Sequence, residues 1–259
     1  DSIRIRSNNP IIFDNLNDEY YIEKEAFKIQ ENNYGKTIRK VIKLSMTPIL
    51  IAKDKYHLLL ETFVTIKRRN PVSRKAIIDV FSQSVNQPNY VQHFKSFLIS
   101  EIGEENLSVG VDEYIKKYLD TEARDPNRLH DMYLSAYVNK AEYTTIATLT
   151  NDFYALKQYI LHAPIGAQFI TSDNPGFTIV GDKILSLGGF GDTYTFVFPI
   201  SPSACLYLKS TDKEDKSNLE KLIYPLIIKK EEVEEINGFT KQISNKDIFG
   251  LNNLILEKT

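Results

Sequence analysis

Cysteine is almost missing from this chain of 259 residues: Cys205 stands alone, which excludes an internal disulfide and any thiolate metal cluster supplied by this chain. A cytoplasmic setting is the default expectation for such a chain. Histidine is scarce too. His57, His93, His130 and His162 are scattered, with no H-E-x-x-H pair to suggest a zinc protease. Long hydrophobic runs are also lacking. Pro48 to Ala52 and Phe196 to Ile200 are among the longest, far short of the roughly 20 apolar residues that carry a helix across a bilayer, so no membrane span is expected. No signal-peptide pattern is present either. Nor is there an excess of charge of one sign. A formal net charge of −2 argues against an extended nucleic-acid surface and leaves room only for local anion binding.

What remains is an ordinary globular composition. With 42% hydrophobic and 25% charged residues the chain can bury a core, and wholesale disorder is excluded. The first two thirds carry apolar residues at helical spacing. Helices are predicted over Asp18–Glu31 and Lys36–Leu44, broken at Asn32, Asn33 and Gly35, and over Asp54–Arg69, where Leu59, Leu60, Phe63, Val64 and Ile66 form a broad stripe. Asp54 is the expected N-cap of the latter. Asn70-Pro71 is a strong start signal for the next helix. Shorter helices are expected at Val91–Ser100 and Val111–Leu119, and Asp125-Pro126 opens a long one running to about Thr150, with Leu129, Met132, Ala136, Tyr143, Ile146 and Leu149 inward.

Beyond Asn151 the pattern becomes β-rich. Tyr154–Leu161, Gln168–Thr171, Phe177–Val180, Lys183–Ser186, Thr193–Ile200 and Ala204–Lys209 read as strands, and helix returns at Asp215–Leu222 and Lys230–Ile243 with extended chain between them. Cys205 falls in the alternating run Ala204 to Leu208 and reads as a small buried apolar residue, not a nucleophile. The expected fold is one α+β domain over 1–259. Its mostly helical N-terminal part, 1–150, would pack against a mainly antiparallel sheet in 151–259, with helices returning near the C-terminus.

Motifs narrow the chemistry. Gly188-Gly189-Phe190-Gly191 precedes a strand instead of a helix and lacks a Lys-Ser or Lys-Thr pair, so it reads as a hairpin loop and not a phosphate cradle. Ser172-Asp173-Asn174 and Ser210-Thr211-Asp212-Lys213 match two β-lactamase elements in the wrong order, and no G-x-S-x-G elbow exists. His57 and Glu61 lie four apart, a spacing that suits two metal ligands or an ordinary helix pair. Lys67, Arg68 and Arg69 complement the C-terminal dipole of their helix. Arg74, in the first turn of the next helix, requires another partner, either a buried carboxylate or an anion.

The densest polar cluster is Thr171-Ser172-Asp173-Asn174-Pro175. Ser, Asp and Asn before Pro form turns readily, which alone could account for it. The alternative is that Asp173 serves as general base or metal ligand, that Asn174 and Ser172 orient a substrate, and that His162 folds back near Asp173 to complete a catalytic set.

Together Ile22-Glu23-Lys24, Arg69-Asn70-Pro71 with Arg74, Phe169 to Pro175, Phe198-Pro199-Ile200-Ser201-Pro202 and Glu235-Ile236-Asn237 resemble the domain of unknown function 4238 family, found mostly in bacteria. The resemblance implies a further N-terminal segment of His-Tyr-Val-Pro type, with its histidine, that these residues lack. It implies no reaction, cofactor or partner. Two expectations stand on the residues. One is a hydrolase, with or without a metal, acting on an anionic substrate such as a phosphodiester held by Arg69 or Arg74. The other is a non-catalytic binding or interaction module.

Overall fold

The computed structural model describes residues 28–43, 47–70, 72, 73, 75, 76, 79, 87, 89, 92, 95, 112, 113, 145–186, 188, 190, 191, 193–214 and 219–250. The chain forms two compact units, one from Asp1–Lys28 with Arg74–Ala141 and one from Ile29–Ser73 with Glu142–Thr259. In the first unit Lys95 and Asp112 make an ion pair of 2.8 Å at an exposed position, where such pairs add little stability. Of the helices expected at Val91–Ser100 and Val111–Leu119 only Gln92, Lys95, Asp112 and Glu113 are described, each helical, and all but the end of the long helix to Thr150 lies outside the described residues.

The second unit is built on a seven-stranded sheet. Its strands are β1 (Ile49–Ala52), β2 (Gln158–His162), β4 (Phe177–Val180), β5 (Lys183–Leu185), β6 (Thr195–Ser201), β7 (Ala204–Lys209) and β8 (Glu220–Ile227), in the order β1-β8-β2-β7-β6-β4-β5. β2 and β8 run parallel, whereas the other neighbours are antiparallel. A separate two-stranded ladder joins β3 (Thr171–Ser172) to β9 (Ile248–Phe249). Helices α1 (Lys28–Ile42), α2 (Lys53–Arg69), α3 (Thr145–Tyr154) and α4 (Lys230–Ile243) complete the described part of the unit.

The period-2 alternation of the strands divides the core. Phe196 and Phe198 of β6 point to the helices α2 and α3, where Phe63 stacks on Phe198 at 5.0 Å and Phe153 on Phe196 at 4.5 Å. Tyr56, Leu59, Leu60, Phe63 and Val64 form the buried stripe of α2 on that face. Val197 and Cys205 point the other way and join Leu161, Phe169, Phe177, Val233 and Ile236 beneath α4. The sheet is therefore covered on both faces.

This corrects the expected α+β arrangement of a helical N-terminal part laid on a C-terminal antiparallel sheet. The sheet is mixed, β1 from the N-terminal part forms its edge, and Glu220–Leu222, assigned to a helix by periodicity, belongs to β8. The tertiary partners decide here: Ile223 pairs with Ile49 on one side and Gln158 on the other. Pro225 is tolerated because β1 ends opposite Ile223 and leaves that side of β8 open.

Smaller differences have local causes. α1 runs through Asn32, Asn33 and Gly35, whose weak propensities cost about 1 kcal/mol or less each, within reach of tertiary contacts. Asp54 lies in the first turn of α2, and Ala52 occupies the N-cap with no side-chain cap bond. Ile66 is exposed instead of buried. The glycine-rich loop does not close a hairpin, because β5 and β6 both flank β4 and never pair with each other. No helix among the described residues is long and apolar enough to cross a membrane.

Candidate functional site

The Thr171 to Pro175 turn is held from three sides. Asn70 ends α2 in an extended conformation, and its Oδ1 accepts the backbone N–H of Ser73 at 2.9 Å, the cap expected of an Asn-Pro helix start. Its Nδ2 donates to Asn174 Oδ1 at 3.2 Å. Lys67 Nζ donates to the same Asn174 oxygen at 2.8 Å and to the Gly176 carbonyl at 2.6 Å. Asn174 Nδ2 in turn donates to the Ile243 carbonyl at 2.8 Å, tying the end of α4 into the cluster. Asn174 is fully buried and Lys67 is 6% exposed.

Lys67 is the unexpected member. Among the described residues it has no carboxylate partner, and burial, reinforced by the Arg68 guanidinium, lowers its pKa to about 7. The helix dipole suggested by sequence is not what holds it. The signal was present, since Lys67 follows Phe63 and Val64 by four and three residues and so extends the buried stripe of α2. Gly176 is required beneath it: its φ is +73°, and a Cβ would lie 2.6 Å from Phe198 Cδ2 and 3.0 Å from the Val197 carbonyl.

Asp173 is placed differently. Its Oδ1 accepts the N–H of Asn245 at 3.1 Å and its Oδ2 that of Lys246 at 2.9 Å, while its own N–H donates to the Asp247 carbonyl at 3.0 Å. The carboxylate thus clasps the turn that leads from α4 into β9. Ser172 Oγ accepts the N–H of Asn174 at 3.2 Å, an ordinary turn contact. His162 ends β2 between Ala204 and Ile227, and burial depresses its pKa and favours the neutral ring. Among the described residues no hydrogen bond joins it to Asp173. Arg74 and the side chain of Arg69 lie outside the described residues. His57 Nε2 meets Asn151 Oδ1 at 3.0 Å, and no group of three or more potential metal ligands occurs among the described residues.

The strand expected over Gln168–Thr171 is interrupted for a visible reason. Asn237 of α4 accepts the N–H of Ile170 at 3.0 Å and donates to the Gln168 carbonyl at 2.8 Å, taking the two backbone groups that a neighbouring strand would pair. Phe169 N–H goes to the Pro202 carbonyl at 2.8 Å. Asn70, Pro202 and Asn237, each from a separate piece of the resemblance, therefore converge on residues 169–176; Ile22-Glu23-Lys24 lies outside the described residues. A family model described as a protein of unknown function (DUF4238) matches residues 8–253. The chain belongs to the DUF4238 family. No curated protein and no solved structure matches it.

A cleft that sequence reasoning missed lies beside α4 in this DUF4238 protein. It encloses about 580 Å3 and is lined by Gly166, Gln168, Lys230, Glu234, Asn237 and Gly238, with Lys241 at its far end. Lys230 and Glu234 are 3.6 Å apart and both well exposed, so their attraction is weak. Gln168 Nε2 is buried without a hydrogen-bond partner, which buried polar atoms rarely lack. Gly238 sits inside α4, where glycine costs about 0.5–1 kcal/mol relative to alanine, yet a Cβ there would meet nothing within 4 Å.

Proposed function

We propose that this protein is a non-catalytic ligand-binding module, that the cleft beside α4 receives the ligand, and that the Thr171 to Pro175 turn is its scaffold. The observation that carries this reading is the use of Asp173: both carboxylate oxygens accept backbone N–H groups of Asn245 and Lys246. A general base is marked by an oxygen aimed at a substrate proton, and the bonds of both these oxygens are to the protein's own backbone. Asn174, buried and bonded at both ends, is equally ill suited to orienting a substrate. The cleft, by contrast, has the size of an ordinary small-molecule site and a lining that mixes polar and apolar residues. A cytoplasmic, bacterial setting accompanies this reading, on the strength of the single cysteine and the family resemblance.

The rival reading is hydrolysis of an anionic substrate such as a phosphodiester by Asp173. Bis(p-nitrophenyl) phosphate hydrolysis, assayed with and without divalent metal in the wild type and in Asp173→Asn, separates the two. We expect no hydrolysis that depends on Asp173. Turnover abolished in a variant that keeps its circular dichroism spectrum and Tm would make Asp173 catalytic and overturn the proposal.

A further inference from the structure

We propose that Lys67 is the bolt of a proton-operated latch: its amine pins the Thr171 to Pro175 turn to α2, and proton uptake releases the end of α4 and β9 while the seven-stranded sheet stays folded. The device does not depend on what the cleft binds. Its geometry is a count of donors and acceptors. Lys67 Nζ meets two acceptors, Asn174 Oδ1 at 2.8 Å and the Gly176 carbonyl at 2.6 Å. A neutral amine has two hydrogens, and both are used. An ammonium has three, so one N–H is left without an acceptor at a residue only 6% exposed, with no carboxylate among the described residues to offset the charge. The groups packed around it do not compensate. On α2 the Arg68 guanidinium disfavours a second positive charge. From α3 and β6 come Leu149, Phe153 and Phe196, and from the loop before β6 comes Phe190. Asp173 in the turn directs both oxygens to Asn245 and Lys246, and α4 contributes the Ile243 carbonyl to Asn174.

What the latch holds is fastened mainly by polar bonds. Asn174 links to Ile243, Asp173 to Asn245, Lys246 and Asp247, and β3 to β9. All of these converge on the turn that Lys67 secures. Residues 245–247 and Phe249 are exposed, and the buried apolar residues of α4, Val233 and Ile236, lie in its first half. A segment with so few buried apolar contacts opens locally before the core does. Opening returns Lys67 to water, where its amine has the ordinary pKa of 10.5, against about 7 in the cluster. Between those values the open state binds more protons, so opening becomes rarer as pH rises, by about fifteenfold from pH 7 to pH 8.5, and levels off below about pH 6. His162, whose pKa is depressed by burial, hardly titrates in that window.

The test is amide hydrogen exchange of the whole chain at pH 7 and pH 8.5, each rate divided by the intrinsic rate of an unstructured amide at the same pH. The opening constants at Asp173, Asn245 and Lys246 are expected to fall about fifteenfold, while those of the β4–β5 hairpin stay level. Lys67→Met should abolish the dependence at the junction, and His162→Gln should keep it. A level wild-type profile overturns the latch, and so does a slope that survives in Lys67→Met or vanishes in His162→Gln. Junction amides that exchange no faster than those of Leu206 and Leu208 in the buried β7 would open only with the whole fold, which also overturns it. The wild-type and His162→Gln profiles decide the matter even where Lys67→Met does not fold.

Discussion

The stretch from Gly166 to Gly176 passes through two polar environments of opposite character. At its C-terminal end, Asn174 lies under Lys67 and Asn70 with its amide oxygen and nitrogen both bonded, and Asp173 holds two backbone N–H groups. At its N-terminal end, Gln168 lines an open cleft while its buried amide nitrogen has no partner, beside a lysine and a glycine that packing does not require. The C-terminal end is much the more polar in sequence, with Thr171, Ser172, Asp173 and Asn174 against Gln168 alone at the other. The two ends also differ in whether the protein itself satisfies the polar groups. A fully satisfied buried network rigidifies and specifies the fold, whereas an unsatisfied one invites a ligand or water.

The largest effect that sharpens this contrast comes from Lys67. Its amine takes up a proton near pH 10.5 in the unfolded chain but only near pH 7 in the folded one. Between those values the unfolded state binds more protons, so stability rises with pH; below about pH 7 the cost of the buried charge is fully present. The swing is on the order of 4 kcal/mol. Urea denaturation at pH 7 and pH 10 should show this rise in the wild type and a much flatter response in Lys67→Met. An equal rise in both would show that another group is its source.

Next in size is Asn174→Ala, which takes an acceptor from the buried Lys67 amine and from the Asn70 amide, leaving each a single backbone carbonyl, and removes the donor to the Ile243 carbonyl. A loss of about 3 kcal/mol is expected from denaturant unfolding. A loss below ~1 kcal/mol would mean that water or a rearranged side chain replaces those bonds, and the cluster would no longer qualify as scaffold.

Asp173→Asn should have the smallest effect. The amide can still accept through one oxygen, so one of the two turn contacts is lost at a cost of about 1 kcal/mol. The sign matters more than the size. A variant more stable than the wild type would show the carboxylate to be held against its own preference, as catalytic groups often are, and would break the distinction drawn between the two ends of the stretch.

Much of the fold was legible in the chain wherever local pattern and tertiary context agree. The α2 stripe, the strands Phe177–Val180 and Ala204–Lys209 and the helix Lys230–Ile243 were all read at or within a residue of their observed limits. β1 was not, and of β8 only the extended chain after Leu222 was, because a four-residue apolar run and a stretch containing Lys221 and Pro225 become strands only through pairing with distant partners. Lys221 illustrates the difficulty: it is buried inside the sheet because Glu214 and the Tyr154 carbonyl receive its amine. Of the candidate site, the sequence marked the turn at Ser172, Asp173 and Asn174 but not the use made of it.

The chain by itself determined which segments could be helix or strand, that no disulfide forms within it, and that the Thr171 to Pro175 cluster would punctuate the β-rich region, since these follow from side-chain periodicity, residue count and turn chemistry. Only the tertiary structure decided what the polar groups do. Whether a lysine is a surface cation or a buried amine, and whether an asparagine binds its own backbone or a ligand, depends on neighbours more than a hundred residues away, as with Lys67 and Asn174. Desolvation and hydrogen-bond partners are properties of the packed neighbourhood, and no local pattern encodes them.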